Sequence, residues 1–231
     1  MKVPEGFVDA KTIKTKRRLI VSVEGPQKTG KTHQLLTAPD PIAFFDMDIG
    51  TEGVVTKFPD KQVWVAQYDY HTLKGPDISS IIAMWERMKA NFLAMLVHPE
   101  VKTIGVDTGT EMWELIRMAR LGKLTQVMPH HYGPVNAEFR DLIRQSYASG
   151  KNVILIHKVK AEYVNDKRTG KLERAGFSDI GFLVQVNLRA WREDGNFGFT
   201  IIDCRHNPKV NGMEFSGDMA NFDFLSEIVL G

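Results

Sequence analysis

The chain has 231 residues, 43% of them hydrophobic and 25% charged, and a net charge of +2 at neutral pH. That length supports one good core with at most a small appendage, and the near balance of charge means that any basic footprint is local. The single cysteine, Cys204, excludes an intramolecular disulfide framework and a multi-cysteine zinc site, no apolar run reaches membrane-spanning length, and the charged N-terminus has no secretory apolar core; a reducing, cytoplasmic setting without a membrane partner is expected.

Residues 1–16 read as a basic N-terminal arm ahead of a single core over 17–231. Lys2, Lys11, Lys14, Lys16, Arg17 and Arg18 face only Glu5 and Asp9 in this opening stretch, a solvated lead-in or an arm that packs on a neighbour. The apolar run RRLIVSVE (17–24) predicts a strand. It stops at Gly25-Pro26-Gln27-Lys28-Thr29-Gly30-Lys31-Thr32, which fills G-x-x-x-x-G-K-[ST] in full, and a helix is expected from about Lys31 to Thr37. A strand before and a helix after are the context that this phosphate-binding loop requires. Its backbone N–H groups converge on an anion, and glycines stand where a Cβ would clash. The following helix turns its free N–H groups to the same phosphate. Lys31 is placed to reach β and γ oxygens, and the Thr32 hydroxyl to ligate Mg²⁺.

PIAFFDMD (41–48) and KQVWVAQ (61–67) are the next strand candidates. The acids Asp46, Asp48 and Glu52 follow the first of them, and a strand-end carboxylate there can orient or deprotonate an attacking water. Asp48 is the candidate, with Glu52 as the other choice, and some of these acids can instead cap a turn. A helical face with Asp77 as N-cap is predicted over 77–98 from apolar residues at 78, 81, 82, 85, 88, 92, 95 and 96. VKTIGVDT (101–108) is strand-like and ends at Asp107, the second acid that a phosphate loop needs for its metal. Helices are expected over 111–122 and 136–150, each closed by glycine. A strand is expected over 151–159, and a β-hairpin over 182–193 and 196–205 joined at Asp194-Gly195; the tail after Asn207 is ambiguous. Alternating strands and helices define an α/β fold with a mainly parallel central sheet flanked by helices and a C-terminal antiparallel hairpin.

From Lys151 to Ala175 seven basic residues face three acidic ones. Lys160, Lys167, Arg168, Lys171 and Arg174 can neutralise phosphates, and Tyr163 or Phe177 can stack a base. An ordinary flexible hairpin is the alternative. His130, His131 and Tyr132 form a second, weaker set of polar loop contacts.

The order of these pieces, Gly25–Thr32, IAFFDMD, VKTIGVDT and VILIHKVK, resembles the RecA-type recombinase core over roughly Arg17 to Arg205. It is most similar to the short phage-encoded AAA-type proteins linked to single-strand annealing. The resemblance implies a RecA-like P-loop NTPase using ATP and Mg²⁺, with Thr32 and Asp107 on the metal and Asp48 at the place of the water-activating acid. The family usually carries Glu there, so the shorter Asp implies slow hydrolysis or a role for Glu52. His157-Lys158 stand where larger members sense the γ-phosphate, or are simply a capped strand end. Two DNA loops are implied, over 124–135 and 160–181. The implied function is single-stranded DNA binding for recombination or annealing by a homo-oligomer, filament or ring, with a single-strand binding protein as a further partner. Nucleotide would lie between subunits, with Lys209, Arg189 or Arg192 acting in trans. A phage motor or helicase-loader ATPase and a small-molecule kinase are the alternatives.

Overall fold

The computed structural model describes residues 3–13, 16–70, 77–122 and 128–231. An eight-stranded sheet carries the architecture, in the order β10-β9-β8-β1-β5-β4-β2-β3. β1 (Ile20–Glu24), β2 (Ile42–Asp46), β3 (Val63–Gln67), β4 (Thr103–Asp107), β5 (Asn152–His157) and β8 (Val186–Glu193) run parallel. β9 (Asn196–Cys204) and β10 (Glu214–Ser216) close one edge in antiparallel pairing. The expected terminal hairpin is therefore β8–β9. Its Glu193 and Asn196 pair around Asp194-Gly195, both at positive φ, the twist that suits a two-residue hairpin loop.

The central strands β1, β2 and β4 are buried along their whole length because helices cover both faces. Ile20, Ala43, Phe45, Ile104, Val106, Val153 and Leu155 face one layer, with α2 (Ile78–Val97), α3 (Gly109–Leu121) and α4 (Tyr132–Ser149). Val21, Val23, Ile42, Phe44, Ile154 and Ile156 face the other, with α1 (Lys31–Leu36) and α6 (Phe222–Leu230). Alternation of side chains along each strand separates the two cores. Asp77 caps α2 as expected, accepting from Ser80 N at 2.8 Å. Gly105 lets α1 approach the sheet, since a Cβ there would lie 2.6 Å from Leu35 Cδ2.

One element departs from the sequence reading, and two resolve what it left open. α4 starts at Tyr132 rather than near 136, with Pro134 in its first turn, where the missing N–H costs nothing. The tail forms β10 and α6, the latter capped by Asn221, which accepts from Phe224 N at 2.8 Å. The basic segment after β5 is a hairpin of β6 (Val159–Val164) and β7 (Lys167–Arg174), turned at Asn165-Asp166 and separate from the main sheet. A short helix, α5 (Ile180–Leu183), connects it back to β8. Residues 3–13 lie exposed, Phe7 to 72% of its surface.

Candidate nucleotide site

The parallel strands end together along one edge. Register pairs Asp46 with Asp107 and Glu24 with His157, so the loop after Glu24 rises beside the acids of β2 and β4. Ligands of open parallel sheets bind at this carboxyl edge. β5 lies between the phosphate-loop strand and the strand of Asp107, so these two are not neighbours.

Gly25 leaves β1 at φ +152, and a Cβ there would stand 2.6 Å from the Ala190 carbonyl oxygen. Lys28 and Gly30 take positive φ, which turns successive N–H groups to one side of the loop and makes an anion nest. The Thr29 hydroxyl donates to Pro26 O at 2.9 Å and pins the turn. α1 is only six residues long, with Gly30 as its N-cap, so the loop supplies most of the cradle. Lys31 Nζ donates to the carbonyl oxygens of Gly25 at 2.9 Å and Pro26 at 2.5 Å. It spans the loop where phosphate oxygens can replace those carbonyls. Burial lowers the Lys31 ammonium, opposed by Asp107.

Thr32 and Asp107 are brought together, the Thr32 hydroxyl donating to Asp107 Oδ2 at 2.6 Å. Asp107 is raised to about 6, above all by burial, with the Thr32 hydrogen bond and Lys31 opposing and Asp46 and Asp48 adding to the rise. A buried carboxylate beside two others calls for a cation. Mg²⁺ suits this pair, since it is commonly held by one or two protein oxygens with phosphate and water completing its shell. Among the described residues no group of three or more His, Cys, Asp or Glu is arranged to hold a metal alone.

The acids after β2 divide their work. Asp46 is buried and accepts from the N–H groups of Asp48, Gly50 and Thr51 and, at 2.5 Å, from the Thr51 hydroxyl. It caps the turn that lays Gly50 against Asp107. Asp48, past the end of the strand, is exposed and ion-paired to Lys158 at 3.0 Å. Glu52 is exposed on the following turn. Lys158 is held in turn by Glu111 of α3 at 2.6 Å, and Glu111 also accepts from the Tyr70 hydroxyl. Burial would lower the Lys158 ammonium, but Glu111 and Asp48 outweigh it and raise it.

His157 differs from the expectation of a residue touching phosphate. It is fully buried under the start of α3, where a Cβ on Gly109 would stand 2.9 Å from its ring. Burial, then Arg174, holds it far below the ordinary value, so the ring is neutral.

The hairpin presents Lys160, Lys167, Arg168 and Lys171 outward, with Tyr163 62% exposed; Lys160 pairs with Glu173 at 3.2 Å. Arg174 is turned inward instead. It meets Glu24 at 2.9 Å and donates to Asn187 Oδ1 at 3.1 Å, while Arg189 also pairs with Glu24. Phe177 is buried against Phe139 and not free to stack a base. At the other loop, Tyr132 stacks on Trp113 with ring centroids 5.6 Å apart, and His131 Nδ1 accepts from Met128 N; His130 is exposed, and residues 124–127 of that expected loop lie outside the described residues. Lys209 is exposed after β9, and Arg192 lies over the Phe197 ring.

A cleft of about 720 Å³ opens beside the loop. Lys28 to His33 form one wall, and Val54, Asn196, Phe197, Phe199 and Ala220 contribute to the others. Sequence reading missed this cleft, Glu111 and the Glu24–Arg174 pair.

Nest, lysine and Thr–Asp pair at the carboxyl edge of a parallel sheet define a P-loop nucleotide-binding protein. A family model described as an AAA domain matches residues 17–178, more than half of the chain, which belongs to that family of AAA-type P-loop ATPases. Comparison with curated proteins finds no match.

Proposed function

We propose that this chain is an ATP-binding, slowly hydrolysing RecA-like protein that binds single-stranded DNA and promotes recombination or strand annealing, in a phage setting, as an oligomer. The observation that carries the reading is the anchoring of the basic hairpin. Its first foot, Lys158, is paired to Asp48 and Glu111, and its second, Arg174, to Glu24 beside the phosphate loop. A basic element tied at both ends to the nucleotide site is suited to couple nucleotide to a polyanion.

In this reading Gly25 to Thr32 wrap the triphosphate, and Lys31 exchanges its carbonyl partners for phosphate oxygens. Thr32 and Asp107 would hold Mg²⁺, which would supply positive charge beside the phosphates. Asp48 orients water and takes its proton. That carboxylate has first to leave Lys158, in keeping with slow turnover. Lys160, Lys167, Arg168 and Lys171 neutralise DNA phosphates, and Tyr163 offers a stacking face.

Reversing Lys167, Arg168 and Lys171 together to Glu tests it. These side chains are exposed, so folding is spared. Single-stranded DNA affinity at low salt is expected to fall while ATP affinity holds; unchanged DNA affinity removes the hairpin from the DNA site.

A further inference from the structure

We propose that Phe197, at the tip of the terminal hairpin, is the residue on which the nucleobase packs. This rests on the reading of Gly25–Thr32 as the triphosphate cradle and assigns the other half of the ligand. The cleft of about 720 Å³ is continuous with that loop, because Lys28 to His33 line it. Its size suits a nucleoside, within the usual range of ligand pockets. The opposite wall comes from the β8–β9 hairpin tip and from Gly217 and Ala220, all beyond residue 178, where the family match ends.

Phe197 is the aromatic ring of that wall left accessible, 41% exposed, whereas Phe199 is buried in the core. A half-exposed phenylalanine at a hairpin tip gains little from its own fold. Its position is nonetheless fixed. Arg192 lies over the ring, 5.0 Å from the centroid, and the ring edge comes close enough to Gly30 that a Cβ there would be 3.4 Å from Cδ1. The aromatic surface therefore abuts the last glycine of the cradle. Gly195 and Gly217 carry no side chain into the space, and Asn196 supplies an amide at the rim for a base edge. An apolar ring with one convergent polar group is how nucleoside pockets combine affinity and orientation. The terminal hairpin thus gives the ATPase core its hold on the base.

The test compares ATP with inorganic tripolyphosphate, which has no base, by calorimetry on the whole chain carrying Phe197→Ala or Phe197→Tyr. Phe197→Ala is expected to weaken ATP by about tenfold, as loss of one base–aromatic stack does, and to leave tripolyphosphate within about twofold. Phe197→Tyr is expected to bind ATP like wild type. Wild-type ATP affinity in Phe197→Ala, or equal loss of ATP and tripolyphosphate, overturns the assignment. Failure of the wild-type protein to bind either ligand instead overturns the cradle itself, and the assignment with it.

Discussion

Replacing Asp107 by Asn is expected to stabilise the protein in the absence of nucleotide and divalent cation, while abolishing turnover. The carboxyl stands at about 6 against an ordinary 3.8, chiefly through burial. The folded state therefore binds this proton more tightly than the unfolded chain. Stability falls as pH rises from 3.8 to about 6, and the full penalty is present above that. A rise of that size corresponds to about 3 kcal/mol. The amide oxygen in the place of Oδ2 still accepts from Thr32, but the NH2 in the place of Oδ1 brings donors, and an unmatched buried donor costs about 1–3 kcal/mol. A net gain of about 1 kcal/mol at neutral pH is the expectation, raising Tm by about 2–4 °C in a chain of this size. Urea unfolding with a chelator, at about pH 4.5 and about pH 7.5, measures it: the variant gains on wild type at the higher pH and loses that advantage at the lower. A variant less stable than wild type at both, or with unchanged pH dependence, refutes the burial penalty and with it the reason for a cation at Asp107.

Asp48→Asn is expected to leave ATP affinity within about twofold and to slow single-turnover hydrolysis by about 10²-fold, the lower end for losing a general base; an unchanged rate moves that role to Glu52. Arg174→Met leaves Glu24 buried with Arg189 as its remaining partner, so the cost in urea unfolding falls near or below the low end of the ~3–5 kcal/mol seen for broken buried pairs. Pairing it with Glu24→Gln is expected to recover part of that loss; strict additivity of the two changes would mean that the ion pair carries no energy of its own.

What was legible in the sequence followed from local rules. The phosphate loop is contiguous, and its glycines are demanded by backbone geometry, so Gly25–Thr32 could be read directly. Asp107 was legible because an apolar run of strand length ended on it. The β8–β9 turn was marked by Asp194-Gly195, whereas α6 lay in the tail left ambiguous, its signal confined to the spacing of Phe222, Leu225 and Val229. The β6–β7 hairpin entered the sequence reading only as the alternative, because neither of its faces is consistently buried, which erases the two-residue period; Asn165-Asp166 was its one local mark. Glu24 and Arg174 meet across most of the chain, and nothing local to either announces the other. His157 sits at a polar strand end in sequence, but alternation turns it under α3, beneath Gly109. Phe197 looked like one more aromatic residue of a hairpin, and only the fold sets it beside Gly30.

The coupling of nucleotide to DNA is tested most directly by the affinity for single-stranded DNA at low salt, measured by fluorescence anisotropy with and without a non-hydrolysable ATP analogue and Mg²⁺. In wild type the analogue is expected to tighten DNA binding by about fivefold or more, a typical coupling between two sites. In Lys31→Ala, which loses the phosphate contact, DNA binding is expected to persist but no longer respond to the analogue. Absence of DNA binding with or without the analogue contradicts the account.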